Sequence, residues 1–339
     1  MRRALRFFSV SVFQKQKKLN SLKSNNLSFC DRNLESREGT QSSHSKNYFV
    51  FGGILSIFGV NQEKPKEEDP ILTTIKNAIL SIQRGDYVKA DKLLHIALQQ
   101  AQVARQEEAV THVYCLMANL AMERKFYRQA EKLFTTVLSR LLNNGESEDS
   151  NTVLEISLKI AQIFQANGDL QKAEAGYNYC VNCQRNKLKL NSEVDEDTLA
   201  LYGMSLDLQA QFLFSINKLR EAETVWREAV GVGQQLHGVD GEQVLVVTNS
   251  LALAISAQEG REKEAAEMLE DLVTRAGKIQ SSHTSSFLIN LGLIRLKQGL
   301  LDKAKLNCDS AKRLATAAYD EEATVEAEEC LKQVNGLLS

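Results

Sequence analysis

A short phrase returns six times along this chain: a turn residue, an aromatic or large apolar residue two positions later, then Ala three positions after that. The first copy reads Gly85-Asp86-Tyr87-Val88-Lys89-Ala90 and the second Lys125-Phe126-Tyr127-Arg128-Gln129-Ala130. The others run from Gly168 to Ala173, Asn217 to Ala222, Gly260 to Ala265 and Gly299 to Ala304. Successive alanines fall 40, 43, 49, 43 and 39 residues apart. Self-similarity at a period of roughly 20–50 residues marks an array of stacked units. Such a chain reads as a binding surface rather than an enzyme.

Twelve positions before the key alanine stands a small residue: Ala78, Ala118, Ala161, Ala210 and, in the last copy, Gly292. Seven positions after it comes another residue, usually small: Ala97, Val137, Cys180, Ala229, Leu272 and Ala311. At plus four lies a large apolar one: Leu94, Phe134, Tyr177, Trp226 and Leu269, with Cys308 in the last copy. Spacings of four and seven put residues on one helical face. Two helices joined by a tight turn approach closely only where small side chains meet, and the large residue fills the space against the next pair. The turn asks for Gly, or Asn in its place, because a helix commonly stops on a left-handed residue. In the fifth copy, counting back twelve from Ala265 lands on Leu253, flanked by Ala252 and Ala254, which predicts one inserted residue near that turn. No stretch alternates with period two, and the only prolines are Pro65 and Pro70. The reading is helix throughout, with no strands.

This pattern resembles the tetratricopeptide repeat over about residues 71–338. The resemblance implies an all-α fold, a right-handed superhelical solenoid of about six helix-turn-helix repeats, in which neighbours stack because no single pair buries its apolar face alone. The repeat-packing residues are then Ala90, Ala130, Ala173, Ala222, Ala265 and Ala304. The family's usual Pro after the second helix is missing; polar linkers at 143–151, 186–197, 238–242 and 277–284 lengthen the spacing instead.

The first thirty residues hold seven Lys or Arg, five Ser and no Asp or Glu. A basic, Ser-rich, acid-free start is the composition of a mitochondrial transit peptide. Residues 47–62 carry no charge and include the run Tyr48 to Val60. A helix that crosses the hydrocarbon core needs roughly 17–25 residues, so this segment reads as a short membrane anchor, a cleaved part of the leader or a strip packing on the first repeat. Lys and Arg are balanced on its two sides, so its sidedness does not resolve. The expected layout is a leader at 1–46, a possible anchor at 47–62, a polar linker at 63–70 and a repeat domain at 71–339. The expected location is the mitochondrial inner membrane. The whole chain has a net charge of −2; its first thirty residues carry seven of the 41 Lys and Arg and none of the 43 Asp and Glu, so the chain without them is acidic and ill suited to nucleic acid.

No catalytic, cofactor or metal residue is assigned. Cys180 and Cys183 make one Cys-x-x-Cys, but a structural zinc site needs four ligands and no second pair stands nearby. Cys180 and Cys308 sit at core positions, where a thiol packs well. His44, His95, His112, His237 and His283 are scattered. Gly231-Val232-Gly233 begins like a dinucleotide fingerprint but lacks its third Gly and follows a helix. Trp226, the only Trp, occupies a large core slot.

What remains is a surface for a protein partner. Asn119, Asn249 and Asn290 lie in first helices, where Asn in the resembled family often faces a groove and bonds the backbone of a bound peptide; an ordinary exposed helix Asn is the other reading. The Lys and Arg set with which chaperone-binding members hold a terminal carboxylate is not found. The stretches Leu116-Met117-Ala118-Asn119-Leu120-Ala121, Leu154-Glu155-Ile156-Ser157-Leu158-Lys159 and Ala175-Gly176-Tyr177 resemble a mitochondrial branch of the family that serves respiratory complex III. That resemblance implies an inner-membrane factor that binds the complex and helps it mature, clearing amino-terminal fragments of the Rieske iron–sulfur subunit. The alternative is a generic peptide-docking adaptor for a chaperone or import component.

Overall fold

The computed structural model describes residues 69–190 and 195–338. Thirteen helices and no strand occur among them. The leader, the apolar segment at 47–62 and the linker up to residue 68 lie outside the described residues. Packing divides the chain into two compact units, Met1–Glu193 and Val194–Ser339.

The first unit holds α1 (Pro70–Gln83), α2 (Tyr87–Val103), α3 (Glu107–Glu123), α4 (Tyr127–Asn143), α5 (Asn151–Asn167) and α6 (Leu170–Leu190). They make three hairpins. Each helix packs on the next, and α1 also touches α3. The first helices thus share one layer, and α2, α4 and α6 form the other. The second unit holds α7 (Glu196–Ser215), α8 (Leu219–His237), α9 (Glu242–Ser256), α10 (Glu262–Lys278), α11 (Thr284–Lys297), α12 (Leu301–Ala317) and α13 (Glu321–Leu338). Three hairpins precede a lone helix, with α9 touching α11 and α11 touching α13.

Local chemistry sets the ends of these helices. The Asp69 carboxylate accepts from the Ile71 N–H at 2.9 Å ahead of Pro70, and Asp86 accepts from the Lys89 N–H at 3.1 Å. Asp195 does the same for Thr198 at 2.7 Å. These side chains satisfy amide groups that a helix start leaves without a partner. Inside the hairpins the turn residue is left-handed in every copy: φ is 74° at Gly85, 61° at Lys125, 82° at Gly168, 64° at Asn217, 77° at Gly260 and 76° at Gly299. The next amide then closes back onto the helix, as from Asp86 to the Ser81 carbonyl at 2.9 Å and from Phe126 to that of Ala121 at 2.8 Å. The turns between hairpins use the same device with less suitable residues, Arg105, Gln280 and Tyr319.

The six key alanines are all fully buried. So are the large residues four positions on, Leu94, Phe134, Tyr177, Trp226 and Leu269. Burying such side chains stabilises by roughly 1.5–3 kcal/mol each. The need for small residues shows between α5 and α6, where a methyl placed on Gly176 would lie 2.9 Å from the Ala161 Cβ. In the fifth copy the chain departs further than the expected single insertion: five residues, Ala257 to Arg261, join α9 to α10, where three, Arg84 to Asp86, join α1 to α2.

Two features of the second unit differ from the sequence reading. Cys308 does fill its core slot, but it forms a disulfide with Cys330, 22 residues on, so α12 is tied covalently to α13. Gly292 of α11 makes room for it, since a methyl there would meet the Cys308 sulfur at 2.7 Å. The lone helix α13 buries Ala323, Ala327, Cys330 and Val334 along one stripe and exposes Glu321, Glu322, Glu328 and Glu329. Its exposed side also carries Val325.

Candidate functional site

The first-helix layer of the first unit carries polar groups that the packing does not satisfy. Helix α3 is enclosed on almost every side because α2, α4 and its fellow first helices press against it. Two polar side chains are caught in that enclosure, His112 and Asn119. Seven residues apart, they share one face. Neither ring nitrogen of His112 has a hydrogen-bond partner, and neither does the Asn119 Oδ1. The Asn119 amide group makes only a long contact with the Cys115 sulfur, 3.7 Å. Burial lowers the His112 pKa to about 4, so the ring is neutral at physiological pH. Burial also pushes the Cys115 thiol up to about 11.

Helix α5 sets an ion pair against the same region. Lys159 lies 2.9 Å from Glu155, one turn away. Burial pulls the Lys159 pKa down, but the Glu155 carboxylate more than offsets it, and Lys159 stays charged. Both charges act on Cys115, which places them beside α3. Arg140 of α4 holds the start of α3, donating from Nε to the Thr111 hydroxyl at 2.9 Å. The result is a polar patch inside the packing of α3 and α5, with a buried amide, a buried imidazole and a compensated charge pair. It offers hydrogen-bond acceptors but no nucleophile: the accessible groups are not activated, and Cys180, whose thiol burial raises to about 12, is inert.

The second unit treats its asparagines differently. The Asn290 amide of α11 donates to the Asn249 Oδ1 of α9 at 2.9 Å, and both residues are buried. The three asparagines therefore sit inside the first-helix layer rather than on an open wall, and two of them are each other's partners. Trp226 packs as a core residue, with its indole N–H donating to Asp207 at 2.8 Å. Glu223 of α8 accepts from Arg261 and Gln258 beside α10, and the Arg261 hydrogen bonds lower its pKa to about 2. That network joins two hairpins, and its Gln258 and Arg261 border an open cleft of about 410 Å³ lined also by Asn217, Lys218 and Arg220.

Sequence reasoning placed the packing alanines and Trp226 where the structure has them. It did not single out the Glu155–Lys159 pair or the unpaired imidazole; the signal available was a His and an Asn seven residues apart on one predicted helix. Among the described residues no group of His, Cys, Asp and Glu could hold a metal ion, and no helix is long and apolar enough to cross a membrane.

Helical hairpins closed on left-handed turn residues, nested on small crossing residues and stacked in two layers, define a protein of the tetratricopeptide-repeat type. The solved repeats of a kinesin light chain from Podosopora anserina share this fold, with a TM-score of 0.51 and 21% identity, covering 65% of this chain and all of that one. No protein-family model matches the chain. It is 34% identical over 287 residues to the tetratricopeptide repeat protein 19 homolog, mitochondrial, of Drosophila melanogaster, covering 84% of this chain and 77% of that protein. It is 31% identical over 274 residues to tetratricopeptide repeat protein 19, mitochondrial, of Rattus norvegicus, covering 77% and 75%. The chain belongs to the tetratricopeptide repeat protein 19 family, whose fly and rat members are mitochondrial.

Proposed function

We propose that this chain is a non-enzymatic factor of the mitochondrial inner membrane that binds respiratory complex III. It supports assembly and maintenance of the complex, including clearance of Rieske amino-terminal fragments. Family membership supports the mitochondrial location, and the resemblance in 116–121, 154–159 and 175–177 implies the partner. The observation that carries a binding role is the unsatisfied polar patch of α3, His112 and Asn119, beside the Glu155–Lys159 pair of α5. An unsatisfied buried polar group costs roughly 1–3 kcal/mol, and a docked segment that supplies donors to His112 and Asn119 offsets that cost. Fixed helices lose little freedom on binding, so such a patch needs no catalytic group to be useful.

The test is migration on a native gel after mild solubilisation of mitochondria. The tagged protein is expected to run with complex III, and cells without it are expected to accumulate Rieske fragments. A protein that runs alone, or that crosslinks to soluble chaperones in place of respiratory subunits, counts against this reading.

A further inference from the structure

The second helices of the first unit carry an outer face of one sign. On α2, α4 and α6 the exposed charged residues are Lys89, Lys92, Arg128, Lys132, Lys172 and Lys189, and no exposed residue of these helices is acidic. The three carboxylates on the same helices, Asp91, Glu131 and Glu174, sit one position after the key alanine and are half-buried. Two further carboxylates, Asp86 and Asp169, cap helix starts, and Asp169 pairs with Lys172 at 2.7 Å. Lys89, Lys92, Arg128 and Lys132 have no ion-pair partner among the described residues. Large apolar side chains stand between the cations. Val88, Ile96 and Val103 of α2 are 63, 47 and 80% exposed, and Phe126, Leu170 and Tyr179 are also exposed.

This is not what solubility asks of such a layer. The equivalent helices of the second unit, α8, α10 and α12, expose Glu221, Glu267, Glu270, Asp271 and Asp302 among their cations. Mixed signs suffice there. A face that sets exposed Lys and Arg among exposed aliphatics and aromatics, and keeps its helical carboxylates half-buried, matches the boundary of an anionic bilayer, where phosphates meet cations and the acyl edge takes the apolar tips. An acidic protein would match the cations but leaves Val88, Ile96 and Val103 without a reason. Six residues, 63–68, separate the apolar segment at 47–62 from Asp69. Fully extended they span at most about 20 Å, so a bilayer that held that segment would keep the first unit within reach of its surface.

We propose that the α2–α4–α6 face of the first unit is a docking surface for an anionic lipid bilayer. It lies on the second-helix layer, away from the α3–α5 polar patch of the first-helix layer, and leaves that patch to the protein partner. The proposal rests on the inner-membrane part of the function proposed above, and adds the face that meets the lipid.

The experiment uses the full chain and vesicles of phosphatidylcholine, alone or mixed with phosphatidylglycerol. Binding to neutral vesicles measures the apolar segment; the increment on anionic vesicles, taken above that of a peptide of the basic residues 1–30, measures the face. With about 1 kcal/mol per cation near such a surface, the increment is expected to be at least ~tenfold and to shrink with salt. It is expected to disappear in the variant carrying Lys89→Glu, Lys92→Glu, Arg128→Glu and Lys132→Glu, and to fall in the matching set of Gln substitutions, with far-UV circular dichroism unchanged. Lys263→Glu with Lys303→Glu in the second unit is expected to leave it intact. Equal partition on both vesicle types overturns the proposal, as does an increment that survives in the four-site variants. So does crosslinking of Lys89 and Lys92 to an acidic protein in mitochondria when the vesicle increment is absent. Binding of the variants to complex III in detergent is scored separately, so failure of the lipid face is distinguishable from failure of the complex III reading.

Discussion

His112 gives the most direct handle on the polar patch of α3. Its ring is buried on α3 without a partner for either nitrogen, and its pKa falls from 6.5 to about 4. The unfolded chain therefore takes up a proton below about pH 6.5 that the folded chain refuses until about pH 4. The stability this contributes is complete above the unfolded value and is lost as pH falls through that window. A shift of this size corresponds to about 3 kcal/mol, of which about 2 kcal/mol is gone by about pH 5. His112→Leu removes the titrating group and both unsatisfied nitrogens. The variant is expected to be more stable than the parent by about 1–3 kcal/mol at about pH 8. It is also expected to lose about 2 kcal/mol less on going to about pH 5. The assay is urea unfolding monitored by far-UV circular dichroism at a series of pH values. Glu123, raised by burial, and Glu223, lowered by its Arg261 hydrogen bonds, titrate in parent and variant alike, so the difference between the two curves isolates His112. Parallel curves, or a less stable variant at high pH, would refute the reasoning.

The packing sets three further outcomes. Ala130→Leu adds three carbons at a fully buried crossing beside Phe134 and Val137, and is expected to cost roughly 1–3 kcal/mol; Gln129→Leu, at the exposed neighbouring position, is expected to stay within about 0.5 kcal/mol in the same unfolding assay. Replacing Cys308 and Cys330 together by Ala opens a loop with a sequence separation of 22; the loss is expected to be about 3 kcal/mol in chemical denaturation, and hydrogen exchange is expected to quicken in α13 before it does in α9. Lys125→Gly relieves a left-handed residue at φ 61° and is expected to raise the unfolding midpoint by an amount equivalent to about 0.5–1 kcal/mol, whereas the same change at exposed Lys132 inside α4 is expected to lower it.

The repeat was legible because its determinants are local. A left-handed residue five positions before each alanine ends one helix, and small residues at fixed offsets let the next one close on it; both are written in short stretches of chain. The inter-hairpin turns at Arg105, Gln280 and Tyr319 use the same geometry without Gly or Asn, so no residue type announced them. The disulfide could not be read from spacing, because Cys308 looks like any small core residue until α13 folds back over α11. Helix α13 itself lacks the phrase. The asparagines misled for a related reason. An Asn in a first helix is equally compatible with a groove, an exposed face or a partner inside the layer, and only the neighbouring helix decides. Asn249 finds Asn290, 41 residues away. Asn119 finds no full partner, and that difference separates a structural pair from a candidate binding group.

The proposed binding role depends on complex III meeting the polar patch of α3 and α5. The measurement that reaches it most directly is a titration of purified complex III with the labelled full-length protein in detergent, beside the variant carrying His112→Leu and Asn119→Ala. The parent is expected to bind saturably, and the variant to bind at least ~tenfold more weakly while unfolding at no lower urea concentration. Equal affinity of the two proteins, or no saturable binding by the parent, would contradict that role for the patch.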